Sequence, residues 1–346
     1  MFILRIRRGI NFFLMKFSTK KIEEMHNLIE DKPQVTLVLG TFKNPDLIIP
    51  TIKGFLDQTY KNFKVFIVDD NSPFDEEIIK KSKSIVESFN DERLIYVKND
   101  VNIGVPHVFR KWINLVDTKY FYITGAGDFL LPNALSLMVG FLEKHPNASM
   151  VHGLETKGDN KKEESLFFET GMVDPRLYLE YHLIGGERSY SWSQSSALFR
   201  TELWKIRNIP VVHDHYWDFY FHCKYILFSE KIGYLNEYVA VREKSPFSYE
   251  TYVIENYLLA KVERLYQALK FIDEHEFYML LRGYPINNYR YKIAKKLIKQ
   301  SFYVQQFDEA VYCIFKGFVI LFKIIFSKIL YYLSRPFGVL FKRKKT

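Results

Sequence analysis

Two cysteines, Cys223 and Cys313, in 346 residues are too few for a disulfide framework or a cysteine-based zinc centre, and they point to a reducing compartment. No internal repeat, low-complexity block or long Gly/Ser linker divides the chain. One large α/β core with appendages is therefore as ready a reading as two separate domains. Uninterrupted apolar runs are missing at both ends. Residues 1–21, MFILRIRRGINFFLMKFSTKK, intersperse Arg5, Arg7, Arg8 and Lys16 among Ile, Leu and Phe, which excludes the continuous core of a signal peptide. Residues 311–345, VYCIFKGFVILFKIIFSKILYYLSRPFGVLFKRKK, are very apolar but broken by Lys316, Lys323 and Lys328. At about 100° per helical residue, Lys316, Lys323 and Ser327 share one face and Lys328 lies about 120° away. That spacing suits a basic amphipathic helix in a membrane interface better than a spanning one, the alternative being a helix packed on the protein's own body. Arg335 and the terminal KRKK add charge that anionic lipids attract.

What is present argues for a folded chain rich in sheet. Hydrophobic residues make up 48% and aromatic residues 17%, a composition that excludes disorder. The net charge of +9 is concentrated at the two apolar ends and is not interleaved with aromatics in a recognised binding motif, so nucleic acid is not an expected partner. From Val35 the pattern alternates. QVTLVLGTF, KVFIVDDNSP, RLIYVKND and YFYITGAGD read as buried strands. LIIPTIKGFLDQTY, FDEEIIKKSKSIVESF and VPHVFRKWINLV read as the helices between them. Alternation of this kind is that of a parallel sheet covered on both faces, with ligands bound beyond the carboxyl ends of the strands. Polar loops sit there: TFKN, DDNS, NDVNIG and GAGD.

At these residues the sequence resembles the inverting family 2 glycosyltransferases, over approximately residues 33 to 245. VTLVLGTFKNPDLIIPTIKGFLDQTYKNFKVFIVDDNS is similar to the family's opening strand, its Q-T before the second strand and its V-D-D-x-S end. The resemblance implies a GT-A-like, mostly parallel central sheet flanked by helices. It also implies a nucleoside diphosphate sugar donor. By the same resemblance Asp70 takes the base contact, since a carboxylate accepts from a uracil or thymine N–H, while Asp69 caps the following turn. Thr41 and Phe42 form the wall beside the base, with Gly40 and Lys43 standing where the family often has Pro and Asn. Asn102 and Gly104 match its N-x-G loop, which a generic Asn-Gly turn explains nearly as well. Arg110 lies close to, though not squarely on, the arginine that often follows.

The main departure is at the fourth strand. Family members usually end it with D-x-D-D, one carboxylate on the ribose and another holding a divalent cation on the diphosphate. Here Gly125 and Gly127 occupy the first and third positions and Asp128 the fourth. Three explanations stand open. Asp128 is the sole protein ligand of a magnesium or manganese ion; or basic side chains such as Lys43, Arg110 or Arg242 support the leaving diphosphate without it; or transfer is lost and binding retained. Gly127, beside Asp128, lets backbone approach the donor.

In the acceptor half, after MVHGLE, the pattern is irregular through residues 155 to 190. SWSQSSALFRTELW resembles the family's small-residue strand and the turn before a helix, and there Trp192 and Ser195 are candidate acceptor contacts, although Ser195 and Ser196 suit close packing as readily. An inverting transferase needs a general base to deprotonate the acceptor hydroxyl. The family's E-D at a helix start falls on Trp217 and Asp218, ahead of KIGYL; Asp218 is the expected base, Asp214 the alternative. Trp217 is a candidate sugar-stacking ring, or core. His213 and His215 have no third partner at metal-site spacing. In VREKSPFS, Lys244 stands where the family has a histidine.

Three regions are expected: a basic amphipathic segment over 1–32, a GT-A-like domain over 33–250 with its donor half about 33–153 and acceptor half about 154–250, and a helical region over 251–346 ending in a membrane-associating segment. The expected activity is inverting transfer of a sugar to a glycan or lipid-linked acceptor in cell-surface polysaccharide synthesis. The expected location is cytoplasmic, peripheral on the inner face of the cell membrane through both termini. The rival is a catalytically inactive GT-A-fold protein that binds nucleotide sugar or carbohydrate.

Overall fold

A computed structural model of the chain describes residues 33–71, 76–157, 169–184, 194–207, 217–242, 257–301, 315, 317–322 and 325–326. The segment 1–32 lies outside these, as do Trp192, His213, Asp214, His215 and Lys244. Strand and helix alternate first: β1 (Val35–Thr41), α1 (Ile48–Leu56), β2 (Phe63–Asp69), α2 (Glu76–Ser88), β3 (Leu94–Lys98), α3 (Val105–Asn114) and β4 (Tyr120–Gly125). β1 lies between β2 and β4 and is parallel to both, and β2 is parallel to β3. Successive side chains on each strand enter different cores. Val35, Leu37 and Leu39 join Val65, Ile67 and the apolar side of α1. Val38 and Val68 join Val108, Phe109 and Ile113 of α3. Both faces of the sheet are thus buried, which is why these strands read as continuous apolar runs.

The second half adds β5 (Phe129–Leu130), α4 (Ala134–Lys144), β6 (Ala148–Lys157), β7 (Gly171–Val173), α5 (Pro175–Ile184), β8 (Ala197–Arg200), α6 (Thr201–Arg207), α7 (Trp217–Phe228) and β9 (Lys231–Arg242). Among the described residues the sheet has nine strands in the order β3-β2-β1-β4-β8-β6-β9-β5, with β7 also paired to β9. β8 is antiparallel to β4 and to β6. The order runs outward in one direction from β1 to β3 and in the other from β1 to β4, so the switch point of the parallel half lies between β1 and β4. A ligand site is expected there, at the carboxyl ends.

The stretch expected to be irregular contains a regular helix. Asp174 Oδ1 accepts from the Arg176 backbone N–H at 2.8 Å, with Pro175 as the first helical residue, a helix-start arrangement. Further on, α8 (Tyr257–Leu281) and α9 (Ile286–Ser301) form a hairpin turned at Gly283, whose φ is +71°. Phe271, Ile272, Tyr289 and Ile293 enter the same core as α7. Arg282 donates to the Leu227 and Ser229 carbonyls at 2.7 and 2.8 Å, tying the hairpin to the end of α7.

The Q-T pair has a clear structural task. Gln58 is fully buried; its Nε2 donates to the Gly54 and Leu131 carbonyls at 2.8 and 2.7 Å, and its Oε1 accepts from the Leu135 N–H at 2.9 Å. It clamps the end of α1 to the segment that follows Asp128. Replacing Gln58 by Ala strands these backbone groups in a dry site, and we expect a loss of about 2–4 kcal/mol. A urea-unfolding midpoint unchanged from wild type would contradict this assignment.

Candidate active site

At the carboxyl end of β1, Gly40 registers with Gly125 of β4 and Thr41 with Asp69 of β2. A Cβ on Gly40 would lie 3.3 Å from the ring of Phe109, so the smallest residue lets α3 press against the strand end. Thr41 is buried, whereas Phe42 is 41% exposed and presents a flat apolar face. Lys43, with φ at +61°, carries its Nζ 5.0 Å from the centre of that ring.

β2 delivers two aspartates with different surroundings. Asp69 Oδ2 accepts from the Tyr96 hydroxyl at 2.9 Å. Asp70 is held by the loop before α3. Its Oδ1 accepts from Asn99 Nδ2 at 2.9 Å and from the Ile103 N–H at 3.0 Å, and its Oδ2 accepts from the Gly104 N–H at 2.8 Å. Asn102 Nδ2 donates to the Asp70 carbonyl at 2.8 Å, and Gly104 has a φ of +81°. Asn102 and Gly104, expected to touch the donor, thus grip Asp70 itself. Oδ2 accepts one of these bonds, leaving capacity for an N–H from a ligand. Arg110 is half-buried on α3 and forms no ion pair among the described residues.

The two glycines at the end of β4 differ. A Cβ on Gly125 would meet nothing within 4 Å, so the first acid of the family pattern is missing from open space. Gly127 has a φ of +110° and its N–H donates to Thr51 Oγ1 at 3.0 Å. Backbone conformation favours glycine there. Asp128 is half-buried, and Ser195 Oγ donates to its Oδ2 at 2.6 Å; that hydroxyl also pairs with Thr124 Oγ1 at 2.9 Å. Ser195 is fully buried. Of the two readings open for it, acceptor contact and close packing, its burial fits the second, and it steadies Asp128. Among the described residues no three His, Cys, Asp or Glu side chains form a metal cage. Asp128 with its hydroxyl neighbours is an oxygen-only set, which suits a hard cation that draws most ligands from phosphate and water.

A second charged group follows on the strand opposite. β5 pairs Phe129 with Val241 in antiparallel register, so Asp128 and Arg242 occupy the next opposed positions. Arg242 is bound by Glu155, N to Oε1 2.7 Å, and the Glu155 side chain is fully buried. Glu155 went unremarked in the sequence; a carboxylate closing the apolar strand MVHGLE was its only signal. Beneath it, Ser196 Oγ lies 3.0 Å from His152 Nε2.

Asp218 stands in the first turn of α7, its Oδ1 accepting from the Phe219 N–H at 2.7 Å. The residue is half-buried, and its carboxyl is enclosed closely enough that burial pushes it above the ordinary value, against the pull of that N–H and of Arg264 and Arg242. Trp217, a candidate sugar platform, is only 8% exposed and stacks on Phe109 at 4.8 Å between ring centres. It is core. The stack has a positional consequence, because Phe109 also lies under Gly40. Close packing therefore runs from Gly40, which precedes Thr41 and Phe42 at the end of β1, through Phe109 to Trp217, the residue before Asp218.

Burial holds three histidines behind this site in the neutral form. His152 and His222 are each pushed down to about 3, and His182 well below its ordinary value. With folded values below the ordinary 6.5, the unfolded chain binds more protons in that interval. Stability present above pH 6.5 is lost as pH falls towards 3. His152 and His222 each contribute a slope of up to about 1.4 kcal/mol per pH unit. Urea titrations between pH 6.5 and 5 should show this slope, reduced in a His152→Gln variant; a flat profile would contradict the burial of neutral rings.

The model of a family described as "Glycosyl transferase family 2" matches residues 36–226. A protein named for colanic acid biosynthesis, the glycosyl transferase WcaA of Escherichia coli strain K12, is 26% identical over 184 residues, 51% of this chain and 63% of its own length. The UDP-Glc:alpha-D-GlcNAc-diphosphoundecaprenol beta-1,3-glucosyltransferase WfaP of Escherichia coli is 25% identical over 109 residues, 32% of this chain and 41% of its own. The chain spans less than two thirds of the length of either relative. Among solved structures, S. aureus TarS in complex with UDP superposes with a TM-score of 0.57 at 16% identity, covering 81% of each chain. The mannosyltransferase PcManGT from Pyrobaculum calidifontis, in complex with GDP-Man and Mn2+, gives 0.50 at 15% identity, covering 84% of this chain and 80% of its own. The shared fold is the GT-A type.

Proposed function

The chain belongs to glycosyl transferase family 2, and on that footing we propose that it is an inverting transferase using a nucleoside diphosphate sugar, acting on a glycan or lipid-linked acceptor in cell-surface polysaccharide synthesis. The observation that carries this reading is the packing of Gly40 on Phe109 and of Phe109 on Trp217, because it sets the candidate base next in the chain, Asp218, against the strand that bears the candidate donor wall. Phe42 offers the base a flat face, and Asp70 Oδ2 offers its N–H an acceptor. UDP and GDP-Man in the structural neighbours support a nucleotide-sugar donor.

Asp218 takes the proton of the acceptor hydroxyl as that oxygen bonds to the anomeric carbon. The bond from that carbon to the diphosphate oxygen breaks on the opposite face, leaving a nucleoside diphosphate and an inverted sugar linkage. A raised carboxyl is a stronger base than an ordinary aspartate. A divalent cation, if bound, would lie on Asp128 and neutralise diphosphate charge. Arg242, held by Glu155 beside Asp128, supplies positive charge from the protein itself.

Asp218→Asn should lower kcat about 10²–10⁴-fold with donor binding intact. In wild type the acid limb of kcat/KM should sit above the ordinary aspartate value of 3.8, because the basic form is the active one. Activity retained in the folded variant would remove Asp218 as base. If the wild type binds donor but transfers nothing across a panel of acceptors, the binding-only reading, favoured by the two glycines at the end of β4, takes its place.

The role of Asp128 is tested by calorimetry with UDP-, dTDP- and GDP-sugars, with and without magnesium or manganese. Donor binding should tighten with the cation in wild type and not in Asp128→Asn. Equal cation response in both proteins would refute that role.

A further inference from the structure

Residues 315, 317–322 and 325–326 are helical, and their two sides meet different surroundings. A Cβ on Gly317 would lie 2.6 Å from Cγ1 of Ile298 on α9, and Ile320 packs on the core shared by α7, α8 and α9. Away from that contact, Phe315, Phe318, Phe322, Ile325 and Phe326 are 50–69% exposed. At 100° per residue these five fall within an arc of about 100°. Phe322 and Phe326 stack with ring centres 6.0 Å apart. A contiguous apolar face of this kind marks an interaction site.

Charge selects the occupant. Residues 311–346 carry eight basic residues, Lys316, Lys323, Lys328, Arg335, Lys342, Arg343, Lys344 and Lys345, and no acidic one. A second copy of the chain would bring the same charge to the face. The chain's own residues 1–21 carry six basic residues and no acidic one, so they too would be repelled. An anionic bilayer surface neutralises the charge and accepts aromatic side chains at the boundary of headgroups and acyl chains.

We propose that this face docks the protein on an anionic lipid bilayer, with Phe315, Phe318, Phe322, Ile325 and Phe326 inserted and the basic residues of the 311–346 sequence drawn to the headgroups. The proposal goes beyond the transfer reaction and does not depend on it, since neither the donor nor Asp218 enters the binding measured. The test is flotation of the full chain with vesicles of phosphatidylglycerol and phosphatidylcholine in equal parts, and with phosphatidylcholine alone. The chain should float with the mixed vesicles only and be released by high salt. A double variant, Phe318→Ser with Phe322→Ser, should partition about tenfold or more weakly, with its thermal unfolding unchanged because both side chains are exposed. Equal binding to the two vesicle types, no binding, or wild-type partition of the folded double variant overturns the proposal. So does a stable dimer that the double variant dissociates, which would give the face to a second copy.

Discussion

Close packing at Gly40 sets the geometry on which the rest of the candidate site depends. With no side chain on β1 at that point, Phe109 reaches the strand end, and Trp217 stacks on Phe109. Both rings are buried, so the stack is held by apolar burial and ring contact with little freedom to shift. It joins the parallel half, where a donor is expected, to α7 of the other half. Asp218 follows Trp217 in the chain, and its position is inherited from that contact.

Around this apolar spine the charges are arranged in partnered sets. The loop from Asn99 to Gly104 spends three N–H groups on the Asp70 carboxylate, which fixes its direction before any ligand arrives. Asp128 is steadied by Ser195 and faces Arg242 across the β5–β9 register. Arg242 is gripped by a fully buried glutamate. Removing one member of such a pair leaves a dry, uncompensated charge, so Glu155 and Arg242 are expected to act as a unit. The glycines at 125 and 127 lower the acidity of the β4 end, and an arginine stands beside the one acid that remains there.

Much of this was legible in the primary structure, and the misses have physical causes. The first four strands are buried on both faces, so their apolar runs and the polar loops after them are unmistakable. Asp70 and Asp128 are local to those runs. Gln58 was legible as half of a motif, but two of its three partners lie 73 and 77 residues away. For Trp217 and Ser195 the sequence leaves acceptor contact and packing equally open, because an aromatic ring or a hydroxyl looks alike in sequence whether it faces a ligand or a neighbour. Glu155 escaped notice because its meaning comes from Arg242, on a strand paired only in the folded sheet. The helix at Pro175–Ile184 was missed although Asp174 and Pro175 announce its start, since an irregular acceptor region was expected there.

Sequence alone determined the class of fold, the order of the first strands, the family resemblance and the residue types available at each strand end. These follow from period, turn chemistry and local charge, all properties of neighbours along the chain. Tertiary structure decided which aspartate oxygen is engaged and by what, that Trp217 is a wedge and not a platform, and that Glu155 belongs with Arg242. It also decided which side of the helix around Gly317 meets α9 and which side is left to solvent. Those outcomes depend on contacts between residues far apart in sequence, and only the closing of the sheet and the packing of α3 against α7 bring such residues together.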